Sequence, residues 1–126
     1  MPTLNSIIDD LVVGSDLWIR RPITGLPAGV TLSQAWLTIK ENSTQTDAQA
    51  IIQKSITSAA TSQGQITDTG ADTAGELLFY LIPLDTEKLD PCLIYEFDVK
   101  VKLSDGRYST PEKGQITPVA RITEAT

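Results

Sequence analysis

Between Tyr95 and Arg107 the chain reads YEFDVKVKLSDGR, with a large apolar side chain at every second position and charged ones between them. An extended strand sends successive side chains to opposite faces. Tyr95, Phe97, Val99 and Val101 therefore form one apolar row, and Glu96, Asp98, Lys100 and Lys102 form a polar one. Burying such a row contributes roughly 1.5–3 kcal/mol for each large side chain. The charged row suits water and cross-strand pairing, which makes this segment framework. Asp105-Gly106 ends it with a dipeptide that favours a tight hairpin turn. A return strand is expected from Arg107 to about Thr110, broken by Pro111 and Gly114.

The remainder of the chain carries the same grammar of short apolar, β-branched runs separated by Gly, Pro, Asn, Asp and Ser. Strands are expected over Asp10–Val13, Leu17–Thr24, Ser33–Glu41 and Ala48–Ile56. A brief edge strand at Gln65–Thr67 interrupts a long polar connection, Thr57 to Ala74. Gly75–Ile82, GELLFYLI, is apolar on both faces and therefore covered on both, within the domain or by a neighbouring molecule. Pro83 stops it, and PLDTEKLDP reads as one helical turn near 85–89, capped by Asp85 or Thr86 with Leu84 and Leu89 inward. Gln115–Thr123 is the expected last strand, at an edge or bulged at Pro118. The sum is a single all-β sandwich of about seven to eight antiparallel strands over residues 10–126, preceded by an arm over residues 1–9.

Several function classes lose support at once. The 126 residues suffice for one domain. A net charge of −6 repels phosphate, and Arg20–Arg21 is the only adjacent basic pair, so no nucleic-acid partner is expected. Histidine is absent, which removes the usual general base and commonest metal ligand. The single cysteine, Cys92, forms no intrachain disulfide and reads as a small apolar residue opening a buried strand. No basic leader precedes Asp9–Asp10, and the run LLFYLIPL is far too short for a membrane span. No membrane partner is therefore expected.

The strand order carries a resemblance. LVVGSDLWIRRPI is followed by QAWLTIKEN, then LLFYLIPLDTEKLDP, and then YEFDVKVKLSDGR. This succession resembles the small immunoglobulin-like β-sandwich proteins of tailed bacteriophages, including the N-terminal domain of the baseplate upper proteins. The likeness runs from about Asp10 to Ile122, and PLDTEKLDPCLIYEFDVKVKLSDGR carries most of it. It implies an immunoglobulin-like sandwich that acts as a virion structural protein in the tail or baseplate, assembled in the host cytoplasm. Other virion proteins would be its partners, and it would form a homo-oligomer in multiples of three or six. The further domains that follow in the baseplate upper proteins have no counterpart before Thr126, so a stand-alone module is expected.

Reactive groups do not converge in the sequence. There is no G-x-S-x-G elbow and no phosphate-cradling glycine loop. The acidic pairs Asp9–Asp10, Asp85/Glu87 and Glu96/Asp98 are read as surface and capping residues. The loop DTGADT lacks the following Glu of a calcium site. No cofactor, metal or catalytic residue is expected, and the chain is read as a non-enzyme. Outward apolar groups carry more information. Strand phase sends Trp18 and Trp36 away from the core, along with Leu78, Tyr80 and Ile82, and the arm adds Leu4, Ile7 and Ile8. Such residues anchor protein interfaces. Two alternatives stay open: a capsid cement (decoration) protein, and a carbohydrate-binding module stacking sugars on Trp18, Trp36 and Tyr80.

Overall fold

The computed structural model describes residues 3–42 and 44–120, with backbone alone for residues 3–6. Eight strands form two sheets: β1 (Thr3–Ile8), β2 (Leu17–Ile23), β3 (Leu32–Lys40), β4 (Ile52–Ile56), β5 (Gly64–Asp68), β6 (Gly75–Leu81), β7 (Tyr95–Leu103) and β8 (Tyr108–Ile116). One sheet runs β1-β8-β7-β3-β4 and the other β2-β6-β5. The chain is an all-β sandwich, and its inner rows are those set by the period of two. Leu37, Ile39, Val99, Val101, Leu77, Phe79 and Leu81 are all buried between the sheets. The Asp105-Gly106 hairpin closes as expected, with Gly106 at φ +89° and the Asp105 carboxylate accepting the Arg107 backbone N–H at 3.0 Å.

Several expectations about the ends of the domain are corrected. The supposed N-terminal arm supplies β1, which pairs in parallel with β8 and puts Ile8 opposite Ile116. Among the paired strands of the described residues, β1–β8 is the one parallel pair. Pro111 and Gly114 do not break the return strand, because a register shift between Val99 and Val101 absorbs Pro111 as a bulge. β8 accordingly runs unbroken to Ile116 between two neighbours, and the edge strand expected at Gln115–Thr123 does not form over the described residues. Asp10–Val13 makes only an isolated bridge, Val12 to Val119, although Leu11 is buried.

The helical turn α1 (Pro83–Thr86) follows β6, with Asp85 accepting the Ile82 N–H at 3.0 Å. Leu89 packs inward as expected, but Leu84 is 70% exposed, because the turn is too short to bury two sides. Cys92 is exposed, since the buried strand begins at Tyr95. Thr86 ties α1 to the turn before β2. Its hydroxyl accepts the Gly14 N–H at 3.0 Å and donates to the Ser15 carbonyl at 2.9 Å. Thr86→Val keeps the shape but takes the side-chain partner from the part-buried Gly14 N–H and the Ser15 carbonyl, which should cost about 1–2 kcal/mol. Urea unfolding checks this, and an unchanged midpoint refutes it.

Candidate functional site

Strand phase and register together sort the outward aromatic residues onto opposite faces of the sandwich. In the three-stranded sheet β2 is antiparallel to β6, which sets Trp18 directly across from Tyr80. Their ring centroids lie 5.3 Å apart at an interplanar angle of 52°, a tilted aromatic pair. Trp18 is 66% exposed, and Ile82, just past the end of β6, is also exposed. Leu78 points to the same face yet is only 6% exposed, so it is corrected from contact residue to the floor of this patch. Arg20 and Gln65 flank it on the neighbouring strands. Arg20 also pairs with Glu76 at 2.6 Å, and the Thr67 hydroxyl, followed by Arg20, holds the Glu76 carboxyl below its ordinary value.

The patch continues across the flank where β1 and β2 meet. Ile7 is 63% exposed and lines a recess of about 210 Å³ with Leu17, Trp18 and Arg21. Ile8 belongs elsewhere: strand alternation turns it into the core, where it is 3% exposed, so it is withdrawn as a contact residue. The side chain of Leu4 lies outside the described residues. Behind this flank, Arg21 and Glu112 point inward from β2 and β8 and pair at 2.5 Å, closing the core between the two sheets.

Trp36 sits on the opposite side of the molecule, on the outer face of the five-stranded sheet. Its aromatic neighbour is Tyr108, at a centroid distance of 6.3 Å, with the Lys100 ammonium 4.9 Å from the Tyr108 ring centre. Strand phase identified Trp36 but missed Tyr108. The signal was present in the hairpin, which folds Tyr108 back beside Lys102, one row from Lys100 and Trp36. The same outer row of β7 that reads as solvated framework here forms one wall of an open basin of about 450 Å³. Trp36 and Tyr108 stand at one end, and Asp47, Gln53 and Asp98 stand at the other, over a buried Thr38.

The electrostatics of the basin are uneven. Asp47 accepts from Lys40 at 2.9 Å, and that hydrogen bond and charge hold its carboxyl below the ordinary value. Asp98 goes the other way. Burial raises it, the Asp47 charge adds to the rise, and Lys40, Lys100 and Lys113 offset this only in part. Next to it on β7, the Glu96 Oε2 is shielded from water and has no hydrogen-bond partner among the described residues. Among those residues no three His, Cys, Asp or Glu side chains gather to hold a metal ion. The structure thus separates the sequence candidates into Ile7, Trp18, Tyr80 and Ile82 over Leu78 on one side, and Trp36 on the other. No family model matches the chain, and no curated protein matches it.

Proposed function

We propose that this protein is a non-enzymatic structural component of a tailed-phage particle, in the tail or baseplate, and that it assembles through the Trp18 side of the sandwich. The observation that carries this reading is the exposed Trp18 paired with a half-buried Tyr80, continuous with Ile82 and with Ile7 on the neighbouring edge strand. A tilted ring pair over a buried leucine offers rigid apolar area that loses little side-chain entropy on contact. The cluster is bordered by the Arg20–Glu76 ion pair, giving the apolar centre and polar rim of an interface. The sequence likeness to phage sandwich proteins supplies the setting. A standard interface buries about 1,200–2,000 Å² in total, which a sandwich of this size offers on one face.

Trp18→Ala combined with Tyr80→Ala should weaken self-association, or capture by a partner virion protein, by more than about tenfold while leaving the fold intact. Sedimentation velocity over a concentration series reads the first effect and near-ultraviolet circular dichroism the second. Wild-type protein that stays monomeric at high concentration and captures no other virion protein sinks the reading. Copy number in intact particles, read by mass spectrometry, locates the protein. Multiples of three or six correspond to the tail, and hundreds of copies correspond to capsid cement.

A further inference from the structure

The basin on the five-stranded sheet differs in kind from the Trp18 patch. That patch is exposed and apolar, whereas here aromatic rings stand at one end of a hollow whose other end is polar. We propose that this basin is a binding site for a neutral saccharide, with a pyranose ring stacked on Trp36 and its hydroxyl groups shared among Asp98, Gln53 and Lys100.

The chemistry of the lining selects the ligand. A sugar ring combines an apolar C–H face with a rim of hydroxyls that both donate and accept, and it carries no charge. Trp36 is half-buried, so its ring is held in place while part of it faces the basin. Tyr108 flanks it, and the position of Lys100 over the Tyr108 ring already satisfies that ring's attraction for a cation. A cationic ligand would therefore have to displace Lys100, and an anionic one would face Asp98 at the polar end. A neutral polar ligand meets neither obstacle.

The polar end has spare acceptors in particular. The Gln53 amide donates to the Thr38 hydroxyl at 3.2 Å, which fixes the amide plane along the floor. Asp47 is occupied by Lys40. Asp98 is half-buried at this end of the basin, with Lys100 also in the lining. Two residues along β7, Glu96 lines an adjoining hollow that shares Thr38 and Asp98 with the basin, and its Oε2 has no hydrogen-bond partner among the described residues. The Asp98 carboxylate, lining the same basin as Trp36, is an acceptor that a hydroxyl-bearing ligand would satisfy. The volume, about 450 Å³, falls in the range of small-ligand sites, roughly 300–1,000 Å³.

The test uses the full chain carrying Trp18→Phe, which leaves Trp36 as the sole tryptophan. Its fluorescence is followed during titration with maltotriose, cellotriose, chitotriose, lactose and 3′-sialyllactose. Saturable binding of at least one neutral sugar is expected. Asp98→Asn and Trp36→Phe should each weaken it by about tenfold or more, with backbone amide shifts confined to β3, β4, β7 and the Asp47 segment. Trp36→Phe binding is read by those amide shifts, since that variant has no tryptophan. The Asp98→Asn variant guards against misfolding, because it removes a charge from the surface without opening a cavity. The proposal is overturned if no sugar gives a saturable change at tens of millimolar, if Asp98→Asn binds as the parent does, or if sialyllactose binds tenfold better than lactose. Loss of self-association in Trp18 variants, with sugar binding retained, would separate this site from the assembly surface.

Discussion

Asp85→Ala lowers stability by about 3–5 kcal/mol, although the residue lies outside the two aromatic clusters. The reason begins with Lys54, which strand alternation turns inward from β4 opposite Leu37. An inward lysine on an edge strand discourages pairing with another chain, but it places an ammonium group beside the core. Asp85 meets that ammonium at 2.8 Å, with both side chains largely buried, and the same carboxylate accepts the Ile82 N–H that opens α1. Truncation leaves a charge without its partner and a helix turn without its cap. For a domain of this size the melting temperature should fall by roughly 10 °C or more. The companion variant Lys54→Met/Asp85→Asn keeps an acceptor for Ile82 and removes both charges, so it should recover more than half of the loss. A double variant no more stable than Asp85→Ala contradicts this account.

The pH dependence follows from the same contacts. Burial alone would raise the Asp85 pKa, but the Lys54 hydrogen bond, the Ile82 N–H and the charges of Lys54 and Lys88 outweigh it and leave the carboxyl below its ordinary value of 3.8. The folded state thus holds this proton less tightly than the unfolded chain does. The contribution of Asp85 is complete above the unfolded value and is lost as pH falls from there through the folded one. Asp98 has the opposite sign. Its raised pKa means that stability declines as pH climbs from 3.8 to the folded value, so Asp98→Asn should be neutral or mildly stabilising at pH 7. Urea titrations of the two asparagine variants at pH 7 and pH 3 read the contrast: Asp85→Asn destabilises at the higher pH, and Asp98→Asn does not.

What the sequence disclosed and what it hid divide along the range of the interaction. Alternation is local, so the inner rows of β3, β6 and β7 and the outward phase of Trp18 and Trp36 are readable from a few consecutive residues. Turn chemistry is local too, and the Asp105-Gly106 hairpin followed from two side chains. The parallel pairing of β1 with β8 joins segments more than 100 residues apart, and nothing in TLNSII specifies that partner. The site was half legible for the same reason. That Trp18 and Tyr80 face outward is a matter of phase, whereas their contact depends on a register between strands 62 positions apart. The inward ion partners Lys54–Asp85 and Arg21–Glu112 were invisible, because an inward charge breaks the alternation rule and its partner lies on another element.

Gly64→Ala should also cost about 3–5 kcal/mol, by a route that involves no side chain of its own. Gly64 sits at φ +136°, a conformation that L side chains rarely adopt, and a Cβ there would lie 2.0 Å from the Leu78 carbonyl oxygen. That oxygen belongs to the backbone of the central strand β6, so it cannot swing aside. Gly64 itself is held by reciprocal backbone bonds with Thr61, at 3.0 and 3.2 Å, and the adjoining Gln63 carbonyl accepts the Tyr80 N–H at 3.0 Å. The strain must therefore be relieved by lifting β5 away from β6, which uncovers Ile66 and loosens Tyr80. Gly25→Ala and Gly29→Ala provide the control. Both glycines have positive φ with nothing within 4 Å of the added carbon, so each should cost only about 1 kcal/mol. Hydrogen exchange should quicken in Gly64→Ala across residues 63–68 and at the Tyr80 amide, and stay unchanged there in the two controls. If the three variants unfold at the same urea concentration, close approach of the backbones is not what holds β5. If they separate as expected, Gly64→Ala should also weaken association through the Trp18 face, because Tyr80 is positioned from that side by the same strand.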